Sequence, residues 1–419
     1  MGNHRRFVGP QLAGLLLAAS MVLATPLVSS ADTEQDLKDA YQMIRDGKYE
    51  EALAKYRDIR DSDQSPDVQH KCLFWSGIAL ECLGRNDEAI GNFEALTDVA
   101  PEFRWSEVLN KLAVRYRAKG DTATSDAYIS QMLERRKGVT DPKEAARADL
   151  LIGDCLKLKA DWPAALEHYR KMQPLYPEHA EDILFHIGAT AHAAKQYDAS
   201  LQAYREYMGK YGDKPRFEEV ALRVMEVYRD AGKPSEAVAH LDRIASEYPN
   251  LRGRALIAKC EILADSLGNA SASTDLADAL AAENSDPYIV YLAKYRAAVN
   301  DLYYKRDAGS ARAKLVEIVD LYPKDHLAVE IAHDIAFSYY QQGDYLTAAE
   351  RYLHAIAKYP CPVPSWDALT RYMAGHSYSL AGDRVEAKRV WDDLARRHPD
   401  SSWTRQARME EEAWTNDGQ

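Results

Sequence analysis

Residues 329–360 read VEIAHDIAFSYYQQGDYLTAAERYLHAIAKYP, and their spacing decides the fold. Ala332, Ile335, Ala336 and Tyr339 recur at intervals of three and four, the period of a helix with one buried face. Gly343-Asp344-Tyr345 interrupts that stripe, and Ala348, Tyr352, Ala355 and Ile356 resume it. Glycine ends the first helix because it enters left-handed backbone without a Cβ clash. Pro360 ends the second because it cannot continue an intrahelical hydrogen-bond ladder. The alanines let two helices approach closely, and the aromatics fill the space between neighbouring pairs. Such a pair cannot bury its apolar faces alone, so it must stack on others like it.

Working outward, the same punctuation runs along the chain. Prolines stand at Pro66, Pro101, Pro142, Pro177, Pro215, Pro249, Pro287, Pro323, Pro360 and Pro399, from 34 to 41 residues apart. Midway between them lies a turn, most often glycine then a polar residue: Gly47-Lys48, Gly84-Arg85, Gly120-Asp121, Gly232-Lys233, Gly268-Asn269, Gly343-Asp344 and Gly382-Asp383. In the remaining units it reads Ala160-Asp161-Trp162, Lys195-Gln196-Tyr197 and Arg306-Asp307. Ten helix-turn-helix units therefore run from near Thr33 to Pro399, and no alternating run demands a strand. Residues 402–419 read as a lone capping helix and tail, whose Glu410-Glu411-Glu412 run is polar as an end should be.

With these residues in place the chain resembles the tetratricopeptide repeat family. Residues 146–177 carry Ile152-Gly153, Leu156, Asp161-Trp162, Ala165, Tyr169 and Pro177 in that family's order. Residues 368–399 carry Ala374-Gly375, Tyr378, Gly382-Asp383, Ala387, Trp391 and Pro399; residues 70–101 carry Gly77, Gly84, Ala89, Phe93 and Pro101. The resemblance implies an all-α, right-handed solenoid over residues 32–401, binding partners on a concave groove and catalysing nothing. The units at 106–142 and 254–287 depart most. In the latter, Glu261 stands where a small residue is asked for, and the stretch from Asn269 to Thr274 is of low complexity, marking a distorted repeat or a break. Tyr-Pro endings and long spacers are similar to those of exported bacterial adaptors of outer-membrane assembly and of envelope constriction. The lack of a lipobox cysteine departs from the lipoproteins among them.

Residues 1–31 differ from the rest. His4, Arg5 and Arg6 precede an apolar stretch from Leu12 to Ala24, and small residues lead to Ala31 before Asp32. Charge, then apolar, then small is the order of a secretory signal peptide, cleaved after Ala31 or after Ala24. A retained anchor is the alternative, although the apolar part falls short of the roughly 20 residues that span a bilayer. The arginine pair also admits a twin-arginine route. These features imply export to the periplasm or another extracytoplasmic space, with contact to membrane only through partners or an uncleaved anchor.

The 419 residues carry a net charge of −12, with 46% hydrophobic and 28% charged residues. That composition fits a folded protein with a sizeable core. No basic stripe of the kind nucleic acid needs is present. The five cysteines are unevenly spaced and contain no Cys-x-x-Cys, so neither a disulfide framework nor a redox motif is indicated. Cys361, in a proline-flanked loop, is the thiol expected to be reactive. Signatures of nucleophilic hydrolases, phosphate-binding loops, zincins and EF-hands are lacking, so neither enzyme nor cofactor is expected. His179, Asp182 and His186 share a helix face, but no fourth ligand accompanies them, and polar side chains of a surface or groove are the better reading.

What remains is a binding surface. The family resemblance gives the first helix of each pair to the groove. Its non-core positions include Glu226 and Arg229, then Arg296, Asn300 and Tyr303, then His333, Phe337 and Tyr340, then Tyr372 and His376. Aromatics and arginine are favoured anchors for a partner peptide or helix, although the tyrosines could equally pack between repeats. Arg296 and Asn300 match the first pair of a carboxylate clamp, but Asp334 stands where its next amide is needed. The reading is a non-enzymatic scaffold or adaptor for envelope proteins; the alternative is an accessory superstructure in cell-wall or polysaccharide processing.

Overall fold

A computed structural model describes residues 30–359, 361 and 363–416. The expected signal peptide lies outside the described residues except for Ser30 and Ala31, where the first helix opens; Pro360 lies outside them too. All regular structure among the described residues is helical, and it falls into two compact units, one ending at Asp161 and the other beginning at Trp162.

The first unit holds α1 (Ser30–Arg45), α2 (Tyr49–Ser62), α3 (Pro66–Cys82), α4 (Asn86–Val99), α5 (Trp105–Ala118), α6 (Thr122–Arg136) and α7 (Pro142–Leu158). The second holds α8 (Trp162–Met172), α9 (Ala180–Ala193), α10 (Tyr197–Lys210), α11 (Phe217–Asp230), α12 (Pro234–Glu247), α13 (Arg252–Glu261) and α14 (Ala270–Glu283). It continues with α15 (Pro287–Val299), α16 (Ala308–Ile318), α17 (Leu327–Gln341), α18 (Tyr345–Lys358), α19 (Pro364–Leu380), α20 (Arg384–Arg397) and α21 (Ser402–Asn416). Within each unit consecutive helices pack on one another, and contacts reach little beyond the next repeat. This is an α-solenoid of helix-turn-helix repeats closed by a capping helix.

Every turn read from the sequence contains a residue with left-handed backbone. Seven hold glycine, with φ from 65° at Gly268 to 86° at Gly382. The other three hold Ala160, Lys195 and Arg306 at φ 58°, 58° and 56°, where a side chain is strained. The next residue often caps the following helix: Asp121 accepts from the Thr124 amide at 3.0 Å, and Asp383 from the Glu386 amide at 3.0 Å.

In three of the pairs a glycine on the first helix sits under an aromatic ring of the second. A Cβ on Gly77 would lie 2.7 Å from the Phe93 ring, and Gly188 and Gly375 face Tyr204 and Trp391 still more closely. Those three rings are 3% exposed or less. A buried serine often ties the pair together: Ser125 Oγ donates to the Ala113 carbonyl at 2.8 Å, Ser200 Oγ to Gly188 at 2.7 Å, and Ser273 Oγ to Cys260 at 2.7 Å.

Two first helices end irregularly. Residues Ile262–Ser266 after α13 and Asn300–Tyr304 after α15 form single π turns. The stretch 254–287 remains part of the second unit, and its Ala255, Leu256, Ala258, Ile262 and Leu280 share one core with Phe217, Leu241 and Ile289.

Candidate functional site

The candidate groove residues lie on α15 with its π turn, α17 and α19, and the structure divides them into three sets. Asn300 and His333 are not on a surface. Asn300 is fully buried, and its Nδ2 donates to Ser273 Oγ at 2.8 Å and Thr274 Oγ1 at 3.3 Å. It keeps the α register, its amide bonded to the Arg296 carbonyl, but α14 covers its side chain through Ser273 and Thr274. His333 is 4% exposed; its Nδ1 lies 3.0 Å from Thr370 Oγ1 and its ring packs against Tyr352 and Trp366. Burial pushes its pKa down to about 4, so it is a neutral packing residue. The reason is that α17 is buried at every residue from Ile331 to Ala336, more than one full turn.

Arg296 is committed elsewhere. Its guanidinium forms an ion pair with Asp265, to which Tyr304 also donates at 2.6 Å. With Arg296 paired and Asn300 inside, the first half of a carboxylate clamp is not assembled.

The remaining five residues come together as an aromatic series across three repeats. Tyr303 stacks on Phe337 at 5.4 Å, and Phe337 on Tyr340 at 5.8 Å. Tyr340 meets His376 at 5.9 Å, with its hydroxyl 3.1 Å from Nε2. His376 stacks on Tyr372 at 5.7 Å, and Tyr372 continues to Trp403 at 5.1 Å. Glu410 on the capping helix holds the far end: it lies 2.7 Å from His376 Nδ1 and accepts from the Tyr372 hydroxyl. Tyr372 is itself mostly buried, whereas Tyr303 is 44% exposed. Tyr303 and Phe337 line an open cleft of about 710 Å³ with Arg306, Asp307, Gln341 and Gln342. Pockets of this size accept a small ligand or a few side chains of a partner.

Beneath the series sits Asp334, which sequence reasoning met only as a residue that spoils the clamp. It is 2% exposed and accepts hydroxyl hydrogen bonds from Tyr303 at 2.5 Å and Tyr295 at 3.3 Å, with no ion-pair partner among the described residues. Burial pushes its carboxyl up to about 7, against the pull of the two tyrosines; nearby Glu330 adds to the rise. Asp301, two residues before Tyr303, contrasts with it. Burial raises its pKa, but Lys314 at 2.8 Å, Ser310 at 2.7 Å and Lys305 at 3.1 Å outweigh that and hold it low. A usable signal existed. Many of these pairs join residues about one repeat apart: Tyr295 and Asp334, Tyr340 and His376, Tyr372 and Glu410.

The His179, Asp182 and His186 set does not form a centre. Asp182 accepts from Arg216 at 2.7 Å, His186 stacks on Tyr169 at 4.9 Å, and His179 closes a short 3-10 turn. Among the described residues no cluster of three or more His, Cys, Asp or Glu is placed to hold a metal ion. No described helix is long and apolar enough to cross a membrane.

Comparison with known proteins agrees with the repeat geometry. A sequence model of the tetratricopeptide repeat matches residues 219–251 and 370–401. No curated protein matches the chain. Among solved structures it is similar to a tetratricopeptide repeat protein from Parabacteroides merdae, at 14% identity over 62% of this chain and 97% of that one, TM-score 0.43. It is also similar to PilW, a type IV pilus biogenesis factor, at 14% identity over 54% and 97%, TM-score 0.41. A third is a signal transduction ATPase with a tetratricopeptide repeat sensor from Pyrococcus horikoshii, at 17% identity over 70% and 47%, TM-score 0.45. The matched segments fall on α11–α12 and α19–α20, so these two helix pairs match the tetratricopeptide repeat in sequence.

Proposed function

We propose that this chain is an exported, non-enzymatic scaffold that holds partner polypeptides of the cell envelope on the first-helix face of its second unit. The observation that carries the reading is the aromatic series from Tyr303 to Trp403, open at the Tyr303–Phe337 end onto a cleft of about 710 Å³. Tyrosine and phenylalanine held by stacking lose little side-chain entropy on binding, which makes them effective anchors. Export is supported by the order of charge, apolar and small residues in 1–31.

The test is affinity capture of cross-linked, tagged full chain from the envelope of its own host. Wild type is compared with a Tyr303→Ala/Phe337→Ala variant whose helical circular dichroism is unchanged. A dominant partner depleted about tenfold in the variant supports the reading. Identical partners in both samples, or a protein found only in the cytoplasm, reject it. N-terminal sequencing of the mature protein is expected to begin at Asp32 or Thr25.

A further inference from the structure

A second cleft, of about 370 Å³, lies over α11, α13 and α15, away from the aromatic series. Its floor is aliphatic, formed by Leu222, Met225, Ile257 and Leu292. Two carboxylates stand at it, Glu226 and Glu261. They occupy matching places one repeat apart, and Glu261 is the last α-helical residue before the first π turn. Rare π turns often mark functional positions in helices.

The charges around this cleft do not balance. Arg254 is paired with Glu218, Arg229 with Asp230 at 3.1 Å, Arg223 with Glu219 at 2.9 Å, and Arg296 with Asp265. Each nearby base is therefore satisfied. Glu226 and Glu261 have neither an ion pair nor a side-chain hydrogen bond among the described residues. Glu261 is exposed at its surface, yet the protein packed around it pushes its pKa up; Arg296 and Arg229 pull it down, while Asp265 and Glu226 push it up. Two carboxylates over apolar carbon, neither holding an ion-pair partner of its own while Arg254 at the same cleft is taken by Glu218, are complementary to a cation on an aliphatic stem.

We propose that this cleft takes one basic side chain of the partner polypeptide, an arginine or lysine flanked by aliphatic residues. Its stem lies along Leu222, Met225, Ile257 and Leu292, and its head sits between Glu226 and Glu261. The proposal rests on the scaffold reading and adds to it a requirement on partner sequence. It also fits the acidic character of the chain, whose net charge of −12 favours basic partners on encounter.

The probe is a phage-displayed library of random dodecapeptides, selected on the full chain and separately on Glu226→Gln/Glu261→Gln, an isosteric pair of changes near the surface. Enriched peptides are then titrated by fluorescence anisotropy, with citrulline replacing arginine or acetyl-lysine replacing lysine. The expected result is enrichment of a basic residue between aliphatics. Affinity should fall at least about tenfold in the double variant or on neutralising the peptide, and weaken steeply with salt. Unchanged helical circular dichroism shows that the variant folds. Peptides enriched equally on both proteins, or without a basic residue, overturn the proposal while leaving the scaffold reading standing. Binding lost only in Tyr303→Ala/Phe337→Ala does the same. No enrichment on any form rejects both.

Discussion

At the residue scale the buried acid Asp334 makes the sharpest claim. Its carboxyl titrates at about 7 in the folded chain, against 3.8 for the unperturbed group. A raised acid pKa means that the folded state holds its proton longer than the unfolded state does. Stability from this group is therefore present below about pH 4, falls as pH rises to about 7, and is level above that. The groups facing it are Glu330, which adds to the effect, and the hydroxyls of Tyr295 and Tyr303, which reduce it. His240 and His333, both pushed down to about 4 by burial, act in the opposite sense, so the Asp334 contribution is read as a difference. Urea unfolding of wild type and Asp334→Asn between pH 4 and pH 8 should show the variant gaining about 1–4 kcal/mol relative to wild type across that range. A flat difference would show that the carboxyl is not desolvated. The cysteines offer a second check. Cys82 is exposed at the end of α3, whereas burial pushes the Cys361 thiol up and its Sγ lies 3.3 Å from the Val363 carbonyl. Cys82, not the loop cysteine singled out from the sequence, should be the first thiol modified by an aromatic disulfide reagent at pH 7.5.

At the element scale, turns were legible and helix ends were not. Each turn needs one left-handed residue, and glycine supplies it so often that even Ala160, Lys195 and Arg306 could be located by spacing alone. Lys195 is exposed and strained, so Lys195→Gly should leave stability unchanged or raise it by up to about 1 kcal/mol. Gly375→Ala should cost about 1–3 kcal/mol, because its methyl would meet the Trp391 ring. Thermal denaturation checks both, and a destabilised Lys195→Gly would contradict the strain argument. The π turn Asn300–Tyr304 left no trace in the sequence, because it contains no glycine or proline to mark it, whereas Ile262–Ser266 falls in the unit 254–287 that the sequence already set apart. Asn300, still in the α register, was placed outside because periodicity does not show that Ser273 and Thr274 of α14 cover it. His333 was misread for another reason: α17 is apolar enough to be covered all round, so its face could not be told from periodicity.

At the scale of the whole molecule, repeat spacing determined which residues meet. Contacts run between neighbouring helices, and stability should then be close to a sum of repeat and interface terms. Residues 162–419, the second compact unit, should fold alone as a soluble helical fragment; far-ultraviolet circular dichroism lacking helix would contradict this. The chemistry of the aromatic series was half legible: its residue types were evident in the sequence, its support by Asp334 and Glu410 was not, since both come from a neighbouring repeat. The central claim is that partners meet the first-helix face of this unit. It is tested most directly by placing a photo-crosslinking phenylalanine analogue singly at Tyr303 and Leu222, and for comparison at Leu346 and Val385, exposed on second helices. Irradiation of the full chain in its own envelope should give a crosslinked partner from Tyr303 and Leu222 but not from Leu346 or Val385. Crosslinks from the second helices alone, or from no position, would contradict the account.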